Sequence, residues 1–304
     1  MRRLFFLVAV LWASVFPSVQ AAEVVLLRSD DFEAYRETAE AVVANLDVPV
    51  VVYDLEGDRS TAYGVVARIK RQPPKVVIAL GKKAAYAAHR KLDVPIVYGL
   101  VDTPERYGLT GAGLTGVSQD VEMDEILSYL RLFAPDINRI GMVIWQGNQN
   151  PKVAEAIQAG KDAGYTIRAL RVNGESDVFP AFMRLRKEIE ALWLVPDHFV
   201  VTPENFRVLR GETQRLNMPL IATTEDLVRA GALMAVGPDR QTVGRQLAEL
   251  AKAILEGADP LDLPVVPPES LRVVLNRETQ NAIGLEIDPA MLGFVDEVLQ
   301  SDGR

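Results

Sequence analysis

The chain has no cysteine among its 304 residues and only two histidines, His89 and His198. The first absence excludes disulfides, a thiolate metal centre and a lipid-modified cysteine. The second leaves little for imidazole chemistry. Neither histidine lies in H-E-x-x-H or another metal-ligand spacing, so no metal and no cofactor is expected. A Walker loop is missing as well, and no G-x-S-x-G elbow exists, since the serine of GVSQD has Asp120 two residues on. GAGLTG at 111–116 fits G-x-G-x-x-G, but no helix starts on it; the next helical pattern opens only near Glu122. Excess positive charge is lacking too. A formal charge of −8 offers no electrostatic footprint for nucleic acid, so that partner class is set aside. What remains for an enzyme is weak: His198 beside Asp197 as a general base, or some pair of the plentiful carboxylates.

Long apolar runs are also scarce. The one conspicuous run, Leu4 to Phe16, follows Arg2 and Arg3 and precedes Pro17 and Val19-Gln20-Ala21. A basic start, a short apolar core and a small-residue end describe a secretory signal peptide. The run is shorter than the roughly 20 residues that a membrane span needs. Cleavage after Ala21 is expected, giving an unanchored periplasmic protein. Without disulfides, such a chain depends on an ordinary hydrophobic core, and its length allows one or two.

What is present is an alternation of strand and helix. VVLLRS (24–29), VPVVVYDL (48–55), KVVIALG (75–81) and VPIVYGL (94–100) are short apolar runs suited to strands buried on both faces. Helical patterns at 31–45, 59–71 and 82–91 separate them, as in βαβ units with a parallel sheet. The pattern restarts after GLTGVSQDV (113–121). Met123, Ile126, Leu127, Leu130 and Phe133 line one helix face, and strands at 139–145, 166–172, 191–196, 218–224 and 232–237 alternate with helices. The predicted class is α/β: two doubly wound, parallel-sheet lobes joined by a multi-segment hinge. Residues 22–117 form the first lobe and 118–239 the second, with part of 240–304 crossing back between them. A helix is expected up to Gly257, a strand within 263–276, and helices near 277–284 and 289–300.

In parallel sheets ligands bind beyond the carboxyl ends of the strands, where helix N-termini point. Those ends supply the candidate ligand-binding residues Ser29, Gly81, Lys82, Asp102, Trp145, Asp197, Thr223 and Glu225. Gly81 lets the backbone approach a ligand and Lys82 adds charge, whereas Trp145 offers a stacking face. Asp197 and Glu225 are the candidates for holding an ammonium group. Each Asp, Ser or Thr also has an ordinary alternative as a helix cap, and Lys82 as a surface lysine.

Three stretches carry a family likeness: IALGKKAAYAAHRKLDVPIVYGLVDTPERYGL, LTGVSQDVEMDEILSYLRLFAPDINRIGMVIWQGNQN, and PLIATTEDLVRAGALMAVGPDRQTVGRQLAELAKAILEGADPLDLPV. With VVLNRETQNAIGLEIDPAML they resemble the tryptophan/tyrosine-type substrate-binding proteins of ABC transporters, from about Val24 onward. The resemblance implies a type I periplasmic-binding-protein fold, with a small ligand in the cleft and an ABC transporter permease as partner to a monomer. It also implies that GLTGVSQDV is the first crossover between lobes, with Thr115 to Ser118 facing the cleft and Gly116 freeing the backbone. The chain departs from the pattern at Lys82-Lys83 and at Asp102-Thr103-Pro104, and it lacks the lipoprotein cysteine of many relatives. These departures leave the ligand open between an amino acid and a small carboxylate. A ligand-sensing protein for a membrane receptor and an exported hydrolase are the alternative roles.

Overall fold

The computed structural model describes residues 22–102, 104–111, 113–147, 151–195, 197 and 199–300. The predicted signal peptide and His198 lie outside the described residues.

The first sheet takes its strands in order along the chain: β1 (Val24–Arg28), β2 (Val50–Asp54), β3 (Val76–Leu80), β4 (Ile96–Gly99) and β5 (Leu114–Gly116). They lie in the spatial order β2-β1-β3-β4-β5, all parallel. Helices α1 (Glu33–Ala44), α2 (Arg59–Arg71) and α3 (Lys82–Lys91) make the crossovers. Every residue of β3 is buried, as its unbroken Val-Val-Ile-Ala-Leu run requires of a strand covered on both faces. One face packs on α2 and α3 through Val25, Leu27, Val77 and Ala79. Val24, Leu26, Val76 and Ile78 pack on the other side.

The second sheet has seven strands in the order β12-β11-β10-β9-β8-β6-β7. These are β6 (Arg139–Trp145), β7 (Thr166–Val172), β8 (Ala191–Trp193), β9 (Leu220–Ala222), β10 (Met234–Pro238), β11 (Leu271–Asn276) and β12 (Glu297–Leu299). Only β10 and β11 run antiparallel. The helices of this lobe are α4 (Met123–Phe133), α5 (Pro151–Asp162), α6 (Val178–Leu185), α7 (Pro203–Arg215) and α8 (Glu225–Arg229); α9 (Arg240–Leu255) and α10 (Arg277–Ala282) follow. The apolar face read on α4 is the buried one.

The chain passes between the lobes three times. The first passage follows β5. The second follows β10, after which α9 lays Val243, Leu247, Ala248 and Ala251 against the first sheet and α1. The third, through residues 263–270, returns to β11 in the second sheet. First and third passages are zipped together: Val266 N–H donates to the Gly116 carbonyl at 3.0 Å, and Ser118 N–H donates to Val266 at 2.9 Å. The second is tied to the third by Asp239 N–H on the Ser270 carbonyl at 3.0 Å.

One sequence expectation changes. The segment expected as a helix near 289–300 is instead a 3-10 turn, Pro289–Phe294, followed by β12. Val298 pairs with Leu275 there, so the segment extends the second sheet. Within GLTGVSQDV, Leu114–Gly116 forms β5, the last strand of the first sheet.

Candidate functional site

The carboxyl ends of β1, β3 and β4 deliver Ser29, Asp30, Gly81 and Asp102 to one end of the first sheet. Gly81 has φ +85°, a left-handed conformation open chiefly to glycine. A Cβ there would lie 2.5 Å from the Tyr35 hydroxyl and 2.7 Å from Ser29 Oγ. Ser29 is buried, and its hydroxyl accepts from Ala84 N–H at 2.9 Å, capping α3 where Gly81 has no side chain to offer. Ser29 therefore shapes the floor of the site by fixing α3. Lys82 is exposed on the first turn of that helix. The N–H groups of Lys82 and Lys83 precede the ladder that begins with Ala85 N–H on the Gly81 carbonyl.

Carboxylates from both lobes gather around Tyr35. Its phenol is pushed above its ordinary pKa by burial first, then by Asp102 and Asp30 of the first lobe and Asp226 of the second. Asp102 keeps an open face to water while protein encloses its other sides. That enclosure raises its carboxyl; Lys82 opposes the shift, and Asp120 of the crossover adds to it. Phe32, 59% exposed at the start of α1, lies beside Tyr35 with ring centroids 6.0 Å apart and planes 30° from parallel. An aromatic pair thus lies among acidic charges from both lobes.

The second lobe presents Trp145 and Asp197 together. Asp197 accepts from Trp145 N–H at 2.8 Å, Phe199 N–H at 3.0 Å and Val200 N–H at 3.2 Å. Its carboxylate is the organiser of this loop. Trp145 packs on Phe199 with centroids 4.2 Å apart, and its indole N–H donates to the Asn173 carbonyl at 3.2 Å. Thr223 is half-buried at the end of β9, just before α8.

The other predicted residues serve the hinge and the lobe contact. Thr115 is fully buried, and its hydroxyl donates to the Pro264 carbonyl, so it braces the first passage instead of facing the cleft. Gly116 is needed for close approach, because a Cβ would run into the Tyr98 carbonyl. Ser118 Oγ accepts from Asp120 N–H at 2.9 Å and holds the turn that carries Asp120. Glu225 is buried between two arginines, at 2.5 Å from Arg229 and 3.1 Å from Arg240. Its charge is already matched.

The sequence reading missed Tyr35, Phe32, Asp226 and Arg240. Phe32, Tyr35 and Arg240 sit within segments read as helix, where periodicity treats such residues as surface or core, and Asp226 falls between two segments read as strands. One signal was available: an aromatic pair at i, i+3 directly after the Ser29-Asp30 strand end.

A family model described as "ABC transporter substrate binding protein" matches residues 41–299, most of the chain. The chain belongs to the ABC transporter substrate binding protein family. Among curated relatives, a "Tyrosine-binding protein" of Clostridioides difficile (strain R20291) is 22% identical over 249 residues, covering 79% of this chain and 72% of that protein. Among solved structures, the ligand-free, open form of a substrate binding protein with adhesive properties from Clostridium difficile matches with TM-score 0.78 and 21% identity. It covers 92% of this chain and 100% of that one. A Streptococcus pneumoniae ABC domain in complex with L-Trp matches with TM-score 0.67 and 19% identity, covering 91% and 100%. These substrate-binding proteins share the fold, two α/β lobes of the type I periplasmic binding class. Among the described residues of this family member, no helix is long and apolar enough to cross a membrane.

Proposed function

We propose that this family member captures an amino acid in the cleft between its lobes, in the periplasm, and delivers it to an ABC permease. The observation that carries the reading is the family match over residues 41–299; Asp30 and Asp102 of one lobe and Asp226 of the other, whose charges all raise the Tyr35 phenol, support the choice of ligand. Carboxylates drawn from both lobes suit a ligand ammonium that is bound only when the lobes meet around it. Asp102 and Asp226 take that role in preference to Asp197 and Glu225, whose oxygens are engaged by backbone N–H groups and by arginines. The ligand carboxylate belongs at the start of α3, where the Lys82 and Lys83 N–H groups and the Lys82 charge favour an anion. Phe32 and Tyr35 supply a stacking wall that suits an apolar or aromatic side chain. The names of the relatives, tyrosine-binding and L-Trp-bound, support this choice of ligand class.

A thermal-shift series with L-tyrosine, L-tryptophan, the other common amino acids and small carboxylates tests it, since a ligand that binds the folded state raises stability by mass action. An amino acid is expected to raise Tm, and its simple carboxylate analogue lacking the ammonium to fail. Small-angle scattering with that amino acid should show a smaller radius of gyration, as hinge closure demands. A carboxylate analogue that binds as tightly as the amino acid would overturn the ammonium site.

A further inference from the structure

Beside the cleft, acidic and basic side chains alternate from lobe to lobe. Arg240, the first residue of α9, donates from Nη1 to Glu37 Oε2 on α1 at 3.1 Å and lies 3.1 Å through Nη2 from Glu225 Oε2 on α8. Arg229 meets the same Glu225 at 2.5 Å, Glu297 at 3.0 Å and Glu33 of α1 at 3.9 Å. Of the ion pairs among the described residues, two cross between the lobes: Arg240 with Glu225, and Arg229 with Glu33. They differ in kind. The Arg229–Glu33 pair is long, and its side chains are 38% and 48% exposed. The Arg240–Glu225 pair is nearly dry, at 10% and 7%.

Arg240 also stands at the junction between the lobes. It follows the second passage directly; Asp239 before it caps α9 by accepting from Thr242 N–H at 2.8 Å and is tied through its N–H to the third passage at Ser270. Helix α9 rides on the first lobe, packed on α1, so Arg240 and Glu37 move together. Glu225 moves with the second lobe. The next residue, Asp226, is the second-lobe carboxylate whose charge helps raise the Tyr35 phenol.

We propose that Arg240 is a positioning residue for ligand capture: its guanidinium joins Glu37 of one lobe to Glu225 of the other and thereby sets the interlobe angle and the height of Asp226 over the cleft. The planar fork of arginine engages two carboxylates at once, which a lysine ammonium on a flexible stem does poorly. Leaving Glu225 buried with one partner fewer is costly, so the paired arrangement is favoured over other lobe angles. The inference rests on the binding-protein reading for its purpose, but the angle itself is measurable without any ligand.

The absence of native cysteine makes the test direct. Spin labels on the exposed positions of a Lys70→Cys, Arg207→Cys protein report the interlobe distance by pulsed electron resonance, ligand-free. Arg240→Gln is expected to shift the mean distance and widen its distribution, and Arg240→Lys to recover part of the native distribution. Lys252→Gln, on the same helix with its exposed partner Asp47 in the first lobe, should leave the distribution unchanged. In about 1 M NaCl, where the Debye length falls to about 3 Å, the native distribution should persist, because the bridge is dry. If Arg240→Gln unfolds the protein, Glu37→Gln removes only the first-lobe half of the bridge and should broaden the distribution in the same way. A folded Arg240→Gln or Glu37→Gln protein whose distances match the parent overturns the proposal. A failure of every amino acid to change the parent's distances would instead count against the capture reading and leave the bridge standing.

Discussion

The hydroxyl of Thr115 and the carbonyl of Pro264 are joined at 2.9 Å across 149 positions of sequence, fastening the first interlobe passage to the third. The bond lies beside the Gly116–Val266 and Ser118–Val266 backbone pairs, so the hinge is a small ladder rather than loose strands. Thr115→Val keeps the shape and removes this part-buried hydrogen bond. Such a loss costs about 0.5–1.5 kcal/mol. Urea unfolding should register that decrease, whereas ligand affinity should change little, since Thr115 does not reach the cleft. An affinity loss larger than the stability loss would return Thr115 to the binding surface.

Gly81→Ala tests the floor of the site. The new Cβ meets both the Tyr35 hydroxyl and Ser29 Oγ, at a φ of +85° that strains any side chain. Backbone strain of this type costs about 1–3 kcal/mol. Relief would come by moving Tyr35, so affinity for the amino acid should fall together with stability. Tyr35→Phe in the same background should restore part of the stability, because it removes the nearest of the colliding atoms.

Asp197→Asn separates organisation from ligation. The native carboxylate takes three backbone N–H groups with two oxygens. An amide presents one oxygen and places an N–H₂ against a donor, which costs stability on the order of 1–3 kcal/mol. Melting should therefore drop. Calorimetry at a temperature where the variant stays folded should find affinity within about threefold of the parent, under about 1 kcal/mol. A loss of a hundredfold or more would make Asp197 the ammonium partner after all.

The lobes were legible in the sequence because strands such as Val76–Leu80 are buried on both faces and read as unbroken apolar runs, and because α4 has one clean apolar face. The end of the chain was harder. Glu297–Leu299 is a three-residue edge strand with every residue only half-buried, so neither a period of two nor a continuous apolar run marks it. At the site, strand ends pointed to Gly81 and Asp102 through position alone. Position does not say how a carboxylate is used. Asp197, Glu225 and Asp102 look alike in sequence, yet the first is held by backbone amides, the second by arginines, and the third is exposed beyond the end of β4; only tertiary packing distinguishes them. Tyr35 and Arg240 take their meaning from partners on the other lobe or at distant positions, which no local pattern encodes.

A ligand ammonium held by the acid cluster, as proposed, would give binding a definite pH dependence. Burial raises the Asp102 carboxyl above its ordinary value, Lys82 offsets part of that, and Asp120 adds to it. A carboxyl raised on folding binds its proton more tightly in the folded state than in the unfolded one. Stability from this group is therefore greatest at low pH and declines as pH rises through the window between the unfolded and folded values. Binding runs the opposite way. A ligand ammonium pairs with the ionised carboxylate, so affinity should be full above the folded pKa of Asp102 and weaken below it, approaching about tenfold per pH unit. Calorimetry from neutral pH downward with the amino acid that raises Tm most should trace this fall, at an onset higher than an ordinary aspartate would give. Asp102→Asn should bind more weakly at neutral pH and lose the pH dependence. Asp226→Asn should also bind more weakly but keep the dependence, since Asp102 remains. If Asp102→Asn binds like the parent, or if the parent's affinity stays flat as pH falls, the ammonium does not sit against Asp102, and the acid cluster around Tyr35 faces some other part of the ligand.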